Sequence, residues 1–370
     1  MSEHLELTPT HKNVKKSNHA YVVLIMMGDR YLPGLITTLH SIRRTNTEKN
    51  LVFMYTSDVS KTTIDYASEI CDYTVEVDKY CHPSKPMRTE RQREIYSKWV
   101  SCSYTKWQSL LLPFEKILFL DIDTVVMDNI DHLFDMETPA SPFSSPFQQP
   151  LGNGKNLFST RNNMDDTGYP KHASLLTREQ ITKSFFSGGS ICTATSILLT
   201  PSLTDYNRMK YILDVKYPNE FGFSQPNAGV DEQLLTYYYT ISEDGPKVSW
   251  RNMHQRYNFI AWKKGYIRNE PPMIMHFFSD VKPWEQKVDL WPDVVIWYDF
   301  FVDALKTYNW FSEFENVTKN ICSPSKGKKG ILDTLAGLSQ SYIREFSKEY
   351  AEVSNALDLL GKISAKAKSK

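Results

Sequence analysis

A mainly parallel α/β sheet set between helices is the fold this sequence predicts, and three observations predict it. Short apolar runs alternate with helical patterns through the first eighty residues, beginning "AYVVLIMM" at 20–27, which is the β-α-β rhythm of a wound sheet. The stretch "KILFLDIDTVVMDNIDHLF" (116–134) places Asp121 and Asp123 directly behind the apolar run Ile117–Leu120. Ligands of such sheets sit beyond the carboxyl ends of the strands, and a buried carboxylate is costly unless paired or bound to a cation. The chain of 370 residues is also long enough for a large core in one or two domains.

The elements follow in order. Residues 1–19 are polar and read as a disordered leader, and no secretion signal opens the chain. After the first strand comes the turn Gly28-Asp29-Arg30-Tyr31. Leu35, Ile36, Leu39 and Ile42 then share one helix face. "NLVFMYTSDVS" (50–60) and "DYTVEVDKY" (72–80) are the next strands, and residues 97–111 form a helix ended by Pro113. Residues 138–184 are a long polar insertion, a length usual for functional lids or disorder. "SICTATSILLTPS" (190–202) restores a strand, "AGVDEQLLTYYYT" (228–240) turns into a helix, and "PPMIMHFFSDVKPW" (271–284) is a strand ending at His276. Residues 285–320 read as helical.

A Ser/Lys/Gly linker at 323–330 precedes Ile331, Leu335, Leu338, Tyr342, Phe346, Tyr350, Val353, Leu357 and Leu360, the spacing of an amphipathic helix or of two broken near Gly337. This tail can pack back on the domain or bind a partner, including a second copy, through residues 331–360. Its basic end "KISAKAKSK" offers only weak membrane contact.

Composition narrows the function. Hydrophobic residues are 41% and charged residues 23%, with net charge 0, so no basic surface argues for nucleic acid or anionic lipid. No stretch approaches the roughly 20 apolar residues of a membrane span. The five cysteines, Cys71, Cys81, Cys102, Cys192 and Cys322, are scattered with no CxxC. They read as reduced thiols, and the expected location is cytoplasmic. The sequon at Asn316 reads as chance.

Residues i and i+2 of an extended segment point the same way, about 6–7 Å apart along the chain, so Asp121 and Asp123 can reach one ion. Two chemistries fit. Both carboxylates can hold a divalent ion that grips a nucleotide-sugar diphosphate. Alternatively Asp121 is the nucleophile of a haloacid-dehalogenase-like phosphohydrolase. That loop belongs on a first strand with a later acidic pair, whereas over 100 residues precede it here and Glu243-Asp244-Gly245 looks like a surface turn. The diphosphate reading needs a third ligand and a cation, and His276 and Lys282 supply them. Imidazole with carboxylates suits Mn²⁺ better than Mg²⁺.

"TTLHSI" after Tyr31, "YTKW" at 104–107, "FLDIDTVVMDNIDHLF", "GVDEQLL" and "HFFSDVKPW" together resemble glycosyltransferase family 8, the glycogenin-like retaining transferases, over about residues 20–290. The resemblance implies a GT-A-like three-layer α/β/α sandwich with a mixed, mostly parallel sheet as the catalytic domain (20–322), followed by the helical tail (323–370). It implies Mn²⁺ on Asp121, Asp123 and His276, and Lys282 on the diphosphate of a UDP-sugar, with glucose or galactose as the hexose. It further implies Tyr31 on the uracil, Ile25 and Met26 lining the base pocket, and Ile122 and Thr195 lining the donor site. Lys106 would reach the donor phosphate and sugar, and Asp231 would lie beside the sugar, with Glu232 where the family has Gln. The chain departs from the family pattern at Thr193-Ala194-Thr195 for Asn-Ser-Gly, at Ser279 for glycine and at Gly28 for Asn. No counterpart of the self-glucosylated tyrosine is evident, and Tyr237–Tyr239 read as core. A non-catalytic sugar-nucleotide-binding scaffold is the remaining alternative. The acceptor, whether glycan, protein or polyol, is unspecified.

Overall fold

A computed structural model describes residues 4–11, 17–87, 89–143, 170–187, 191–216, 229–261, 272–279, 281–285 and 292–317. In chain order the strands are β1 (Thr8–Pro9), β2 (His19–Ile25), β3 (Asn50–Tyr55), β4 (Tyr73–Glu76), β5 (Lys116–Leu120), β6 (Thr124–Val126), β7 (Ala140–Ser141), β8 (Leu175–Leu176), β9 (Ser196–Leu199), β10 (Trp250–Asn252), β11 (Phe259–Ile260) and β12 (Ile274–His276). The α-helices are α1 (Leu32–Arg44), α2 (Lys61–Ile70), α3 (Glu90–Tyr96), α4 (Arg178–Ser187), α5 (Leu203–Tyr211), α6 (Val230–Thr236) and α7 (Pro292–Thr307).

Among the described residues the main sheet runs β1-β4-β3-β2-β5-β9-β7-β10-β8, and β11-β12-β6 form a second, small sheet. The strands β4, β3, β2 and β5 are mutually parallel, while β9 returns antiparallel beside β5. The fold is therefore a mixed α/β sheet covered by helices. Alternation along the strands sorts its core into two layers. Tyr21, Val23, Ile25, Leu118 and Leu120 face α1, α2 and α7. Ala20, Val22, Leu24, Ile117 and Phe119 face the other side, with Tyr104, Trp107, Met209 and Leu234. The winding explains where the site lies. The chain moves outward from β2 through β3 and β4, then crosses back so that β5 lies on the other side of β2. That reversal is a switch point, and the carboxyl ends of β2 and β5 flank its crevice.

Helix α1 lies close against the crevice because residue 34 is glycine. A Cβ there would sit 2.6 Å from the Ile122 carbonyl oxygen and 2.7 Å from the Trp284 ring.

Several elements differ from the sequence expectation. The leader is not wholly unstructured, since Thr8 and Pro9 pair with β4 and Leu5 N–H donates to Leu111 O at 2.9 Å. Residues 100–111 are helical, but with the tighter 3₁₀ pitch. The strand expected over 190–202 is confined to β9, because the N–H groups of Cys192, Thr193 and Ala194 find side-chain acceptors (Thr236 Oγ1, Ser141 Oγ and Glu232 Oε1) instead of a ladder. The ends of the 138–184 insertion join the sheet as β7 and β8.

The reduced-thiol expectation is corrected: Cys81 and Cys102 form a disulfide. Residues 80–82 fold back on the 3₁₀ helix, with His82 N–H donating to Ser101 O (2.7 Å) and Tyr80 N–H to Thr105 Oγ1 (3.0 Å), and this reversal brings the two cysteines together. Cysteine spacing thus no longer argues for a reducing compartment. Cys71 and Cys192 are free and buried. No helix among the described residues is long and apolar enough to cross a membrane. The core of the insertion (144–169), the linker and the amphipathic tail lie outside the described residues.

Gly34→Ala should lower stability, as read by urea unfolding. Overpacking typically costs about 1–3 kcal/mol, against about 1 kcal/mol gained in helix propensity. The obstructing atoms belong to a backbone carbonyl and a buried ring, which cannot swing aside. An unchanged or raised unfolding midpoint would contradict this packing.

Candidate functional site

The Asp121-Ile122-Asp123 turn joins β5 to β6, and its backbone is held from several sides. Asp121 N–H donates to Thr195 O (3.1 Å), and Phe277 N–H donates to Asp123 O (2.8 Å). The buried Thr38 hydroxyl of α1 lies 3.1 Å from Ile122 O and 2.7 Å from Thr124 O. Thr124 Oγ1 donates back to Asp121 O at 2.7 Å. With the backbone thus engaged, the carboxylates are left to the crevice.

Strand β12 pairs antiparallel with β6, placing His276 opposite Thr124. This register brings a residue some 150 positions later in sequence beside the turn. Ligand atoms of Asp121, Asp123 and His276 all lie within 4.8 Å of one another. His276 Nε2 is 3.4 Å from Asp123 Oδ1, and that buried oxygen accepts no hydrogen bond among the described residues. An oxygen–oxygen–nitrogen donor set with one unsatisfied buried carboxylate oxygen fits a divalent transition ion such as Mn²⁺.

Each acid also has its own ammonium. Lys282 Nζ donates to Asp123 Oδ2 at 2.7 Å and to Phe277 O at 2.9 Å. Lys106 Nζ lies 2.8 Å from Asp121 Oδ1 and 3.4 Å from Asp231 Oδ2. Asp231 enters from the first turn of α6, and its side chain is 4% exposed. Burial alone would raise the Asp123 carboxyl. The Lys282 ammonium overturns this and holds it far below the ordinary range. Burial raises Asp121, and Lys106 opposes that while the Asp123 charge adds to it. Burial works against both lysines, but Asp121 and Asp231 keep Lys106 charged, and Asp123 does the same for Lys282. Neighbouring like charges at the turn are thus sustained by two cations.

Tyr31 stands at the start of α1, edge-on to Trp284 (5.5 Å between ring centroids), with Lys282 Nζ 5.9 Å from its ring. Arg30 pairs with Glu285, tying the turn after β2 to the Lys282–Trp284 segment. Ile25 ends β2, with its carbonyl taken by Thr56 N–H (3.2 Å), and Met26 is half-buried beyond it. Gly28 has φ +86°, a region that Gly and Asn adopt most readily, which explains glycine where the family has Asn. Ile122 packs its side chain on the core. The Thr195 side chain is buried, with its hydroxyl 3.2 Å from His276 Nδ1. Tyr238 and Tyr239 are core residues. Asn258, which sequence reasoning missed, also meets His276 Nδ1 at 3.0 Å. A single Asn ahead of a short strand carries no signal that could have marked it.

Glu232 has a structural task. Its carboxylate accepts from Gly229 N–H and Ala194 N–H, both at 2.8 Å. This joins the start of α6 to the segment before β9.

Residues 22–161 match the model of the family "Glycosyl transferase family 8". An uncharacterized protein of Acanthamoeba polyphaga mimivirus is 24% identical over 314 residues, covering 81% of this chain and 95% of that protein. Galactinol synthase 2 of Arabidopsis thaliana is 28% identical over 131 residues, covering 35% of this chain, and the chain spans only 37% of its length. Among solved structures, the galactosyltransferase LgtC in complex with donor and acceptor sugar analogs superposes with a TM-score of 0.46 at 12% identity, over 76% of this chain and 95% of that one. The family match ends before Asp231, His276 and Lys282, so their arrival at the turn is an independent geometric fact.

Burial, then the Asp231 charge, raise Glu232 from an ordinary 4.5 to about 7. A carboxyl whose folded pKa is raised gives stability that is complete below its unfolded pKa and lost as pH climbs through the folded one. Stability should therefore fall between about pH 4.5 and 7, and Glu232→Gln should flatten that part of the profile in denaturant titrations. An identical slope in the variant would contradict the assignment.

Proposed function

We propose that the chain is a member of glycosyltransferase family 8, whose model matches residues 22–161, and that it is a Mn²⁺-dependent retaining hexosyltransferase moving glucose or galactose from a UDP-sugar to an acceptor. The observation that carries this reading is the convergence of Asp121, Asp123 and His276 within 4.8 Å, with Lys282 on Asp123 and Lys106 on Asp121. Asp121, Asp123 and His276 would hold the ion, which when bound neutralises diphosphate charge so that UDP can leave.

The chain's own groups then divide the work. Lys282, buried, and Lys106, half-buried, are charged and paired to the same acids that would ligate the ion. With those acids engaged by an ion, both lysines would turn to phosphate oxygens as negative charge grows during bond breaking. Tyr31, at the start of α1 with Lys282 Nζ 5.9 Å from its ring, would meet the base, with the backbone at Ile25 and Met26. Ile122 and Thr195 would flank the donor.

Asp231 is the carboxylate set deepest behind Lys106. In a retaining reaction it can stabilise the developing oxocarbenium charge during front-face attack, or take the sugar itself as a transient glycosyl-enzyme. In either case Lys106 Nζ, 3.4 Å from Asp231 Oδ2, orients it. The phosphohydrolase reading is set aside with the family assignment, and Lys106 further restrains Asp121, the oxygen donor that would have to attack.

A panel of UDP- and GDP-sugars with Mn²⁺, scored for nucleotide release, tests the proposal. The wild type should turn over a UDP-hexose and lose activity with chelator. Asp123→Asn and His276→Ala should lower turnover by on the order of 100-fold or more, with circular dichroism unchanged. Unaltered turnover in both variants would reject the centre, and UDP binding without any turnover would make the protein a binding scaffold.

A further inference from the structure

We propose that Asn258 is a positioning residue: with Thr195 it holds the His276 ring so that Nε2 keeps its lone pair and faces the carboxylates. This inference rests on the metal-centre reading above. A neutral imidazole carries one proton, and the partner of one nitrogen decides what the other can do. His276 Nδ1 is 3.0 Å from Asn258 Oδ1. A carboxamide oxygen only accepts, so the proton belongs on Nδ1. The Thr195 hydroxyl, 3.2 Å from the same nitrogen, can accept a share of it.

Nε2 is then an acceptor 3.4 Å from Asp123 Oδ1, which itself accepts no hydrogen bond among the described residues. Two acceptors facing each other at that separation repel unless a cation lies between them. The opposite tautomer would turn an Nε2–H onto Asp123, satisfy that oxygen and close the position to a metal. Asn258 therefore selects the ring state that binds a cation over the one that replaces it. Partners of this kind typically change metal affinity by about 10- to 100-fold.

The fold keeps the carboxamide in place. Asn258 ends a short 3₁₀ turn, Gln255–Asn258, and is 6% exposed. The preceding Tyr257 is fixed at both ends: its carbonyl accepts from Ser196 Oγ at 2.6 Å, and its hydroxyl lies 2.7 Å from His132 Nε2. The strand that follows, β11, runs parallel to β12 with Ile260 opposite His276, and Ala261 N–H donates to His276 O at 3.0 Å. Asn258, directly ahead of β11, and His276, at the end of β12, are thus held by one small sheet.

The test reads the ring and the metal separately. Nitrogen-15 NMR of the metal-free full chain should show the neutral His276 ring with its proton on Nδ1. Titration with Mn²⁺ alone, followed by calorimetry or by the electron-spin signal of the free ion, should show Asn258→Ala binding about 10- to 100-fold more weakly, with mixed tautomers. Asn258→Asp, which still accepts from Nδ1, should restore most of the affinity. A wild-type ring protonated on Nε2 would overturn the inference without any variant. So would an Asn258→Ala protein that keeps both the tautomer and the affinity, provided His276→Ala has lost binding. If the wild type binds no Mn²⁺, or His276→Ala binds it as well as the wild type, the metal centre itself fails, and this inference with it.

Discussion

Asp123 is the constraint from which the site is built. A carboxylate this little exposed is tolerable only with a fixed positive partner, and the chain supplies Lys282 at the exit of β12, six residues after His276, whose ring also faces Asp123. The same strand also claims the Asp123 backbone, through Phe277 N–H. Backbone pairing and ion pairing thus lock one segment onto another 150 residues away. Without the short β6–β12 ladder, neither the histidine nor the lysine would have a reason to be here.

The other half of the site comes from the opposite direction. Helix α1 presses Gly34 and Thr38 against the Asp121–Asp123 turn and Trp284, and the 3₁₀ helix of residues 100–111 brings Lys106 between Asp121 and Asp231. The result is a chain of alternating charge: Asp231, Lys106, Asp121, then Asp123 and Lys282. Only the step from Asp121 to Asp123 joins like charges. That step is where the imidazole also points, and where a divalent ion would relieve the repulsion. The arrangement is therefore poised rather than self-satisfied. Its two ammonium groups are counter-ions that, on the proposed reading, a metal would free for phosphate.

Much of this was readable in the sequence because burial writes clear patterns. β2, β3 and β5 are short apolar runs whose alternate residues serve the two faces of a covered sheet, and α1 displays Leu35, Ile36, Leu39 and Ile42 on the buried face that spacing predicts. Asp121 and Asp123 stood out because acids directly behind a buried strand are anomalous. The features that escaped share a different cause, since each depends on a partner chosen by the tertiary fold. The Cys81–Cys102 bridge needs the chain reversal at residues 80–82. The irregular path of Cys192–Ala194 needs acceptors on Ser141, Glu232 and Thr236. The pairing of Thr8–Pro9 with β4 is too short to leave a pattern. Asn258 becomes meaningful only once β11 lies beside β12.

The most direct measurement of the central claim is an anomalous-difference map from crystals grown with Mn²⁺ and UDP. The account predicts one strong peak in bonding contact with carboxylate oxygens of Asp121 and Asp123 and with His276 Nε2, the diphosphate on its far side and Lys282 turned toward phosphate. A peak elsewhere, or UDP bound with Lys282 still on Asp123 and no ion between the acids and the imidazole, would contradict it.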